Sequence, residues 1–298
     1  IVVRGSCHPE GTPMSDAEAL DEAQTIQSKM EENLGGSRFP NWIGPQRFGS
    51  GRPVTPHVGR HVANGDWEKA VMTYLSMEGP HEEEEAKAIR LQIREHGISE
   101  NLLESLPRWM GFERRMIEHL LASPDDYVGA FRKLPTNLQL MTVHALQSIV
   151  FNKSLQRRLE NHMPIAQPVV GDIVGRLDEK GQLDVNSCVV VQERTLSRIG
   201  RNCDLNRLTI TGPLPGSEIT TSEGEPGKLE QETIDSENLA DVSWHVEAIP
   251  RLSTKGTRRG LVAAFNDFSV ETVPKVEPEL LGKRWAKGPS GDDRGHPD

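Results

Sequence analysis

The chain has 298 residues, 35% of them hydrophobic and 26% charged, which suits about two domains with packed cores under a strongly polar surface. Its net charge is -10, with 23 Arg against 11 Lys; such a balance bears on solubility rather than fold, and an acidic chain that binds nucleic acid must gather its Arg on one face. Cys7, Cys188 and Cys203 form no C-x-x-C pair, no apolar run reaches the ~20 residues of a membrane helix, and no signal peptide stands at the front, so a disulfide framework, a zinc site and a membrane span are disfavoured and a reducing cytoplasm is expected.

Taken in order, Ile1–Arg4 read as a strand entered midway, and Gly288–Asp298 resemble no finished core element. Sequence is therefore expected on both sides, above all at the front. Ser15 is a helix N-cap; Leu20, Ala23, Ile26, Met30 and Leu34 recur at helical spacing, and Gly35-Gly36 ends the helix. Residues 37–56 form a Gly- and Pro-rich loop carrying Arg47 and Arg52, either a connector or a site. From Asp66 to Leu159 the pattern is mainly helical: Asp66 caps one helix, Glu82–Glu85 open another as a solvated acidic turn, and Ser123-Pro124-Asp125-Asp126 start a third. Thr136 begins a longer helix reaching about Asn161. Beyond 168, short β-rich runs appear at Val169-Val170, Ile173-Val174, Val189–Val191 and Leu208–Ile210, and strand-like patterning returns at Val242–Ile249 and Gly260–Phe268. Residues 217–240 read as an exposed, mobile loop. The class is α+β.

Two stretches carry chemistry. Asn41-Trp42-Ile43-Gly44-Pro45-Gln46-Arg47-Phe48-Gly49 joins two amides, a guanidinium and aromatic rings to glycine turns. Amides can read base edges, Arg can hold phosphate, and a ring can stack on a base; the same residues can also make a self-capped structural turn. In the second stretch His144, Gln147, Ser148, Phe151 and Leu155 share one helix face. Such a mixed face docks through hydrogen bonds, with His144 read as a packing histidine rather than an acid–base group.

The first stretch resembles the N-[YF]-F-G-x-Q-R-F-G motif of the TruD family of tRNA pseudouridine synthases, in its archaeal-type form. Trp42 fills the first aromatic position, and Ile43 stands where the family has a Phe that sits against the target uridine. Leu134-Pro135 and His144-Ala145-Leu146-Gln147-Ser148-Ile149-Val150-Phe151-Asn152 resemble the family's L-P…H-A-x-Q-S-x-x-F-N helix. Gly171-Asp172, Leu208–Ile210 followed by Leu214-Pro215-Gly216, and Gly256-Thr257-Arg258-Arg259 match later family features in order. The family's G-x-K-D-x-x-A-x-T-x-Q segment, whose Asp is essential, is absent from these residues; in the family it lies upstream, so the nucleophilic Asp is expected before Ile1.

The resemblance implies an isomerase that needs no cofactor or metal, acts as a monomer on tRNA, and converts uridine (position 13 by family habit) to pseudouridine. It implies a partial pseudouridine synthase-type mixed-sheet catalytic domain over 1–59 and 254–298, and a largely helical α+β insertion over 60–253 that helps to clamp the tRNA. Asn41, Ile43, Gln46, Arg47 and Phe48 are expected to line the uridine pocket. Arg52, Arg60, Arg258 and Arg259 are candidates for the RNA backbone, each with a surface ion pair as its alternative. Gly44, Gly49, His144, Gln147, Ser148, Phe151, Asn152, Gly171, Asp172, Leu214, Pro215 and Gly216 are expected to be structural. The fragment alone is expected to be inactive. The alternative is a non-catalytic RNA-binding relative that has lost its Asp.

Overall fold

The computed structural model describes residues 6–49, 51–265 and 269–272. The expectations for Ile1–Arg4, for residues 266–268 and for the tail Gly288–Asp298 lie outside the described residues. The chain divides into two compact units, Ile1–Phe39 with Ala264–Asp298, and Pro40–Ala263. The insertion expected over 60–253 falls wholly inside the second.

In the first unit, α1 (Asp16–Leu34) is closed at both ends by local chemistry. Ser15 and Glu18 form a reciprocal capping box, and Gly35 takes φ 71°, the left-handed conformation that ends a helix most cheaply in glycine. Of its apolar positions only Leu34 is fully buried. The rings of Phe39 and Phe265 lie 5.9 Å apart. Strands β1 (Arg38–Pro40) and β6 (Val262–Ala264) make a two-stranded sheet.

The second unit is α+β. Its helices are α2 (Thr55–Ala63), α3 (Trp67–Ser76), α4 (Glu84–His96), α5 (Glu100–Ser105), α6 (Gly111–Ala122), α7 (Tyr127–Phe131), α8 (Thr136–Glu160), α9 (Leu196–Asp204) and α10 (Gly224–Ser236). Strands β2 (Ile173–Leu177), β3 (Leu183–Val190), β4 (Leu208–Leu214) and β5 (Thr257–Gly260) form one sheet in the order β3-β2-β4-β5, with antiparallel neighbours. The 25-residue α8 is the axis of the unit: it packs on α2, on α10 and on β4. The core joins Val58 and Val62, Val71 and Leu75, Ile93, Phe131, and Leu146 and Val150 of α8. Burying such side chains contributes about 1.5–3 kcal/mol each. At Gly59 of α2 a Cβ would stand 2.0 Å from the Thr142 carbonyl oxygen, so α2 and α8 approach backbone to backbone.

Several expectations are corrected. The third helix start is displaced: Ser123 ends α6, and Asp126 caps α7 by accepting the Gly129 N–H at 2.8 Å. Glu82 is no solvated acid; it accepts from Arg90 Nε at 2.9 Å inside a partly buried network. The run 217–240 contains α10, whose Glu230 is buried against Ser222 and Arg258. Val242, Trp244 and Val246 alternate inward as a strand would, yet form no ladder, and Trp244 sits at φ 57°. Val169-Val170 form a turn before β2.

Candidate functional site

The loop that follows β1 is fixed by side chains far away in sequence. Asn41 donates its backbone N–H to Leu261 O at 2.8 Å and its side-chain amide to Gly260 O at 2.9 Å. Its side-chain oxygen accepts from Arg259 Nη2 at 2.5 Å. The amide expected to read a base edge thus braces Arg259 and the end of β5. Two residues on, Asn152 of α8 grips Ile43 with one side chain: its oxygen accepts the Ile43 N–H and its amide donates to the Ile43 carbonyl, both at 2.9 Å. The chain then makes a 3-10 turn over Pro45–Arg47 that packs on α8. Thr55, the first residue of α2, donates to the Phe48 carbonyl at 2.7 Å and lies 3.2 Å from that of Arg47. Gly49 closes the loop at φ 97°, where a Cβ would lie 2.2 Å from the Arg52 carbonyl oxygen; only glycine fits there. Gly44 has open space at its Cβ position and supplies the extended residue before the turn.

What this bracing leaves outward is chemically specific. Gln46 and Arg47 are exposed, Trp42 is 43% exposed, and Ile43 and Phe48 are half-buried. Arg259 lies over the fully buried Phe151 ring, 5.5 Å from its centroid, and its Nε is buried with no hydrogen-bond partner. Burial, and then the charge of Arg47, hold the Arg259 guanidinium below its ordinary value. The same two causes push the His144 imidazole below 6.5. His144 lies at the surface, partly covered, rather than enclosed at a junction. Arg47 and Arg259 therefore gather positive charge around the loop of an acidic chain, with the His144 imidazole beside Arg47.

The remaining motif residues tie segments together. Gln147 donates to Pro215 O at 2.7 Å and to Thr254 Oγ1 at 3.1 Å, while Ser148 returns its hydroxyl to His144 O at 2.6 Å. Leu214 ends β4 opposite Thr257. A Cβ on Gly216 would stand 1.9 Å from the Gly256 nitrogen, and one on Gly171, at φ 94°, 2.2 Å from Glu223 O. Asp172 takes both terminal nitrogens of Arg158, at 2.6 and 2.8 Å, in a buried pair.

Three of the four arginines expected on RNA backbone are spent internally. Arg52 donates to Tyr74 O at 2.6 Å and lies 3.4 Å from Glu82 and 3.6 Å from Glu113, with its side chain 11% exposed. Arg60 holds the Glu237 carboxylate at 2.5 Å and the Glu237 carbonyl. Arg258 is buried between Glu230, Thr211 and the Thr220 carbonyl. Among the described residues no group of three or more His, Cys, Asp or Glu is placed to hold a metal ion, and no helix is long and apolar enough to cross a membrane. A cavity of about 330 Å³ lined by Gln167, Pro168, Leu196, Ser197, Gly200, Arg201 and Asp204 includes none of the candidate residues.

Set against known proteins, the sequence matches the family tRNA pseudouridine synthase D (TruD) over residues 2–277. The chain belongs to the TruD family. It is 36% identical over 258 residues to a protein of Methanosarcina mazei named "Probable tRNA pseudouridine synthase D", covering 86% of this chain and 57% of that protein. It is 34% identical to one of the same name from Natronomonas pharaonis, covering 92% of this chain and 61% of the relative. A crystal structure of a Methanosarcina mazei protein that carries the TruD name superposes with a TM-score of 0.76 at 35% identity, over 83% of this chain and 56% of that one. The chain thus spans less than two thirds of the length of these TruD relatives. Within the TruD resemblance, Asn152, Gln147 and Gly216 acquire a shared role, since each joins one motif to another. Thr55 does the same for the loop, yet nothing in its local sequence marks it out.

Proposed function

We propose that this chain supplies the uridine-facing loop and the tRNA-contacting body of a tRNA pseudouridine synthase, an isomerase. In that reaction the N1–C1′ bond of uridine breaks, the uracil turns, and C5 joins C1′, so no atom is gained or lost. The target base must leave its stack, which costs a few kcal/mol, and cationic contacts to phosphate offset that cost. We assign Ile43, Gln46, Arg47 and Phe48 to the border of the extruded uridine, with Asn41 holding Arg259 beside them. Arg47 and Arg259 meet the flanking phosphates. By family habit the reacting carboxylate belongs to a K-D-x-x-A-x-T-x-Q segment, and we assign it to a part of the protein other than these 298 residues, in which that motif does not occur. The protein acts on tRNA, with position 13 the target by family habit, as a cytoplasmic monomer without metal or cofactor. Residues 1–59 and 254–298 belong to the catalytic domain, and residues 60–253 contribute tRNA contacts.

The observation that carries this reading is the exposure of Gln46 and Arg47 on a turn whose backbone is clamped by Asn152 and Thr55. A preorganised polar turn suits a site more than a connector does. The test is pseudouridine formation in tRNA by the whole encoded protein. Arg47→Ala lowers kcat/KM at least tenfold, and this chain alone gives no pseudouridine. Full activity of Arg47→Ala overturns the assignment of the loop. A whole protein that binds tRNA but forms no pseudouridine turns the reading into that of a non-catalytic RNA binder.

A further inference from the structure

A second surface, remote in sequence from the Asn41 loop, combines aromatic rings with guanidinium groups. Trp109, in the turn before α6, is 57% exposed, and Phe112, in its first turn, is 36% exposed. Arg115 lies one turn further along α6, with its guanidinium carbon 5.2 Å from the Phe112 ring centroid and its Nε donating to Gly111 O at 3.1 Å. Arg108, next to Trp109, is exposed. Arg114 braces the turn from beneath, donating to Leu103 O and Leu106 O. The acid within the stretch, Glu113, is turned inward and takes Arg90 at 3.1 Å. Glu104 and Glu118 are the nearest exposed acids along the chain.

Single exposed apolar side chains need no partner, but exposed rings grouped on one turn and rimmed by polar groups mark an interaction site. The exposed large hydrophobic side chains between residues 100 and 122, Trp109 and Phe112, are both aromatic. Flat rings with planar cations suit the π-face of a base and the phosphate next to it. The charge agrees, because cations flank these rings while the chain as a whole carries -10.

We propose that Arg108, Trp109, Phe112 and Arg115 form an RNA contact that stacks an unpaired nucleobase, separate from the uridine-facing loop. The inference rests on RNA binding but not on catalysis. It is tested with the whole encoded protein and an unmodified tRNA transcript, by tRNA affinity at fixed salt and by steady-state kinetics. Loss of one stacked base weakens binding by about tenfold, so Trp109→Ala and Phe112→Ala each raise Kd and KM by that order and leave kcat unchanged. Trp109→Phe, which keeps a ring, restores most of the affinity. Unaltered tRNA affinity in Trp109→Ala overturns the proposal, and does so in favour of a self-contact if that variant also loses a dimer in size-exclusion chromatography. A wild-type protein that makes no pseudouridine yet loses tRNA affinity on Trp109→Ala upholds the stacking surface and removes the proposed activity. No tRNA binding by the wild type overturns both.

Discussion

Asn152 spends a single side chain on both backbone groups of Ile43, across 109 residues of sequence. Truncating it strands an N–H and a carbonyl, at roughly 1–3 kcal/mol for each group left without a partner. Asn152→Ala therefore destabilises the fold by that order and lowers pseudouridine formation, read by denaturant unfolding and by tRNA assay. Asn152→Asp keeps the bond from the Ile43 N–H but sets a carboxylate against the Ile43 carbonyl, so it does not rescue. His144 gives the pH prediction. Partial burial and the Arg47 charge hold its imidazole below 6.5, so it is neutral at pH 7. Protonation is disfavoured in the free protein, and the fold loses stability as pH falls below 6.5. A phosphate beside Arg47 offsets that repulsion and raises the imidazole again, so binding takes up a proton. Affinity for tRNA, measured from neutral pH downward, rises as pH passes below 6.5, and His144→Gln flattens the rise. At this scale the sequence was readable wherever a motif named the residue, as for Asn152 and Gln147. It was unreadable where the partner decides the role: Arg52, Arg60 and Arg258 look like free cations until Glu82, Glu237 and Glu230 are seen to hold them.

Among elements, α8 was legible because its mixed polar face repeats at helical spacing, and α1 because Ser15 and Gly35-Gly36 mark its ends. The helix α10 was hidden. Its Ser-, Thr-, Glu- and Gly-rich surroundings look like loop, and the burial of Glu230 depends on Arg258, 28 residues downstream. Residues 242–249 failed in the opposite way: inward alternation came from core packing without a strand to pair with. The junction between α8 and β2 yields a stability prediction. Arg158 and Asp172 form a buried two-bond pair, and Asp172 also accepts the Val169 N–H at 2.8 Å. Asp172→Ala leaves a buried guanidinium uncompensated, which costs about 3–5 kcal/mol. Chemical denaturation reads this directly, and an unchanged midpoint would contradict the pair's burial.

Among the described residues, α1 of the first unit and the body of the second differ in how much they bury. In the first, α1 has 19 residues and one fully buried side chain, Leu34. In the second, the core runs from Val54 to Leu252. Segments with few buried apolar contacts open at low cost, so limited proteolysis of this chain cuts within 16–34 before it cuts within 40–263. Mass spectrometry of early fragments checks the order, and first cuts in α2 or α8 would refute it. The family motifs implied a catalytic domain over 1–59 and 254–298, whereas the compact units divide near residues 40 and 263. Borders depend on which groups meet across hundreds of residues, as the Asn41 backbone N–H meets the Leu261 carbonyl and its side-chain amide meets that of Gly260.

Neighbouring arginines on β5 serve opposite ends: Arg258 points into the Glu230 network, and Arg259 towards Asn41 and Phe151. Strand residues alternate sides, so the doublet is not a pair of equivalents. Losing a single residue between Gly256 and Arg258 would shift the strand's frame by one, putting the anchor outside and the outward cation in the core. Both posts would then be vacated at once, although the Arg-Arg doublet would still be present in the sequence.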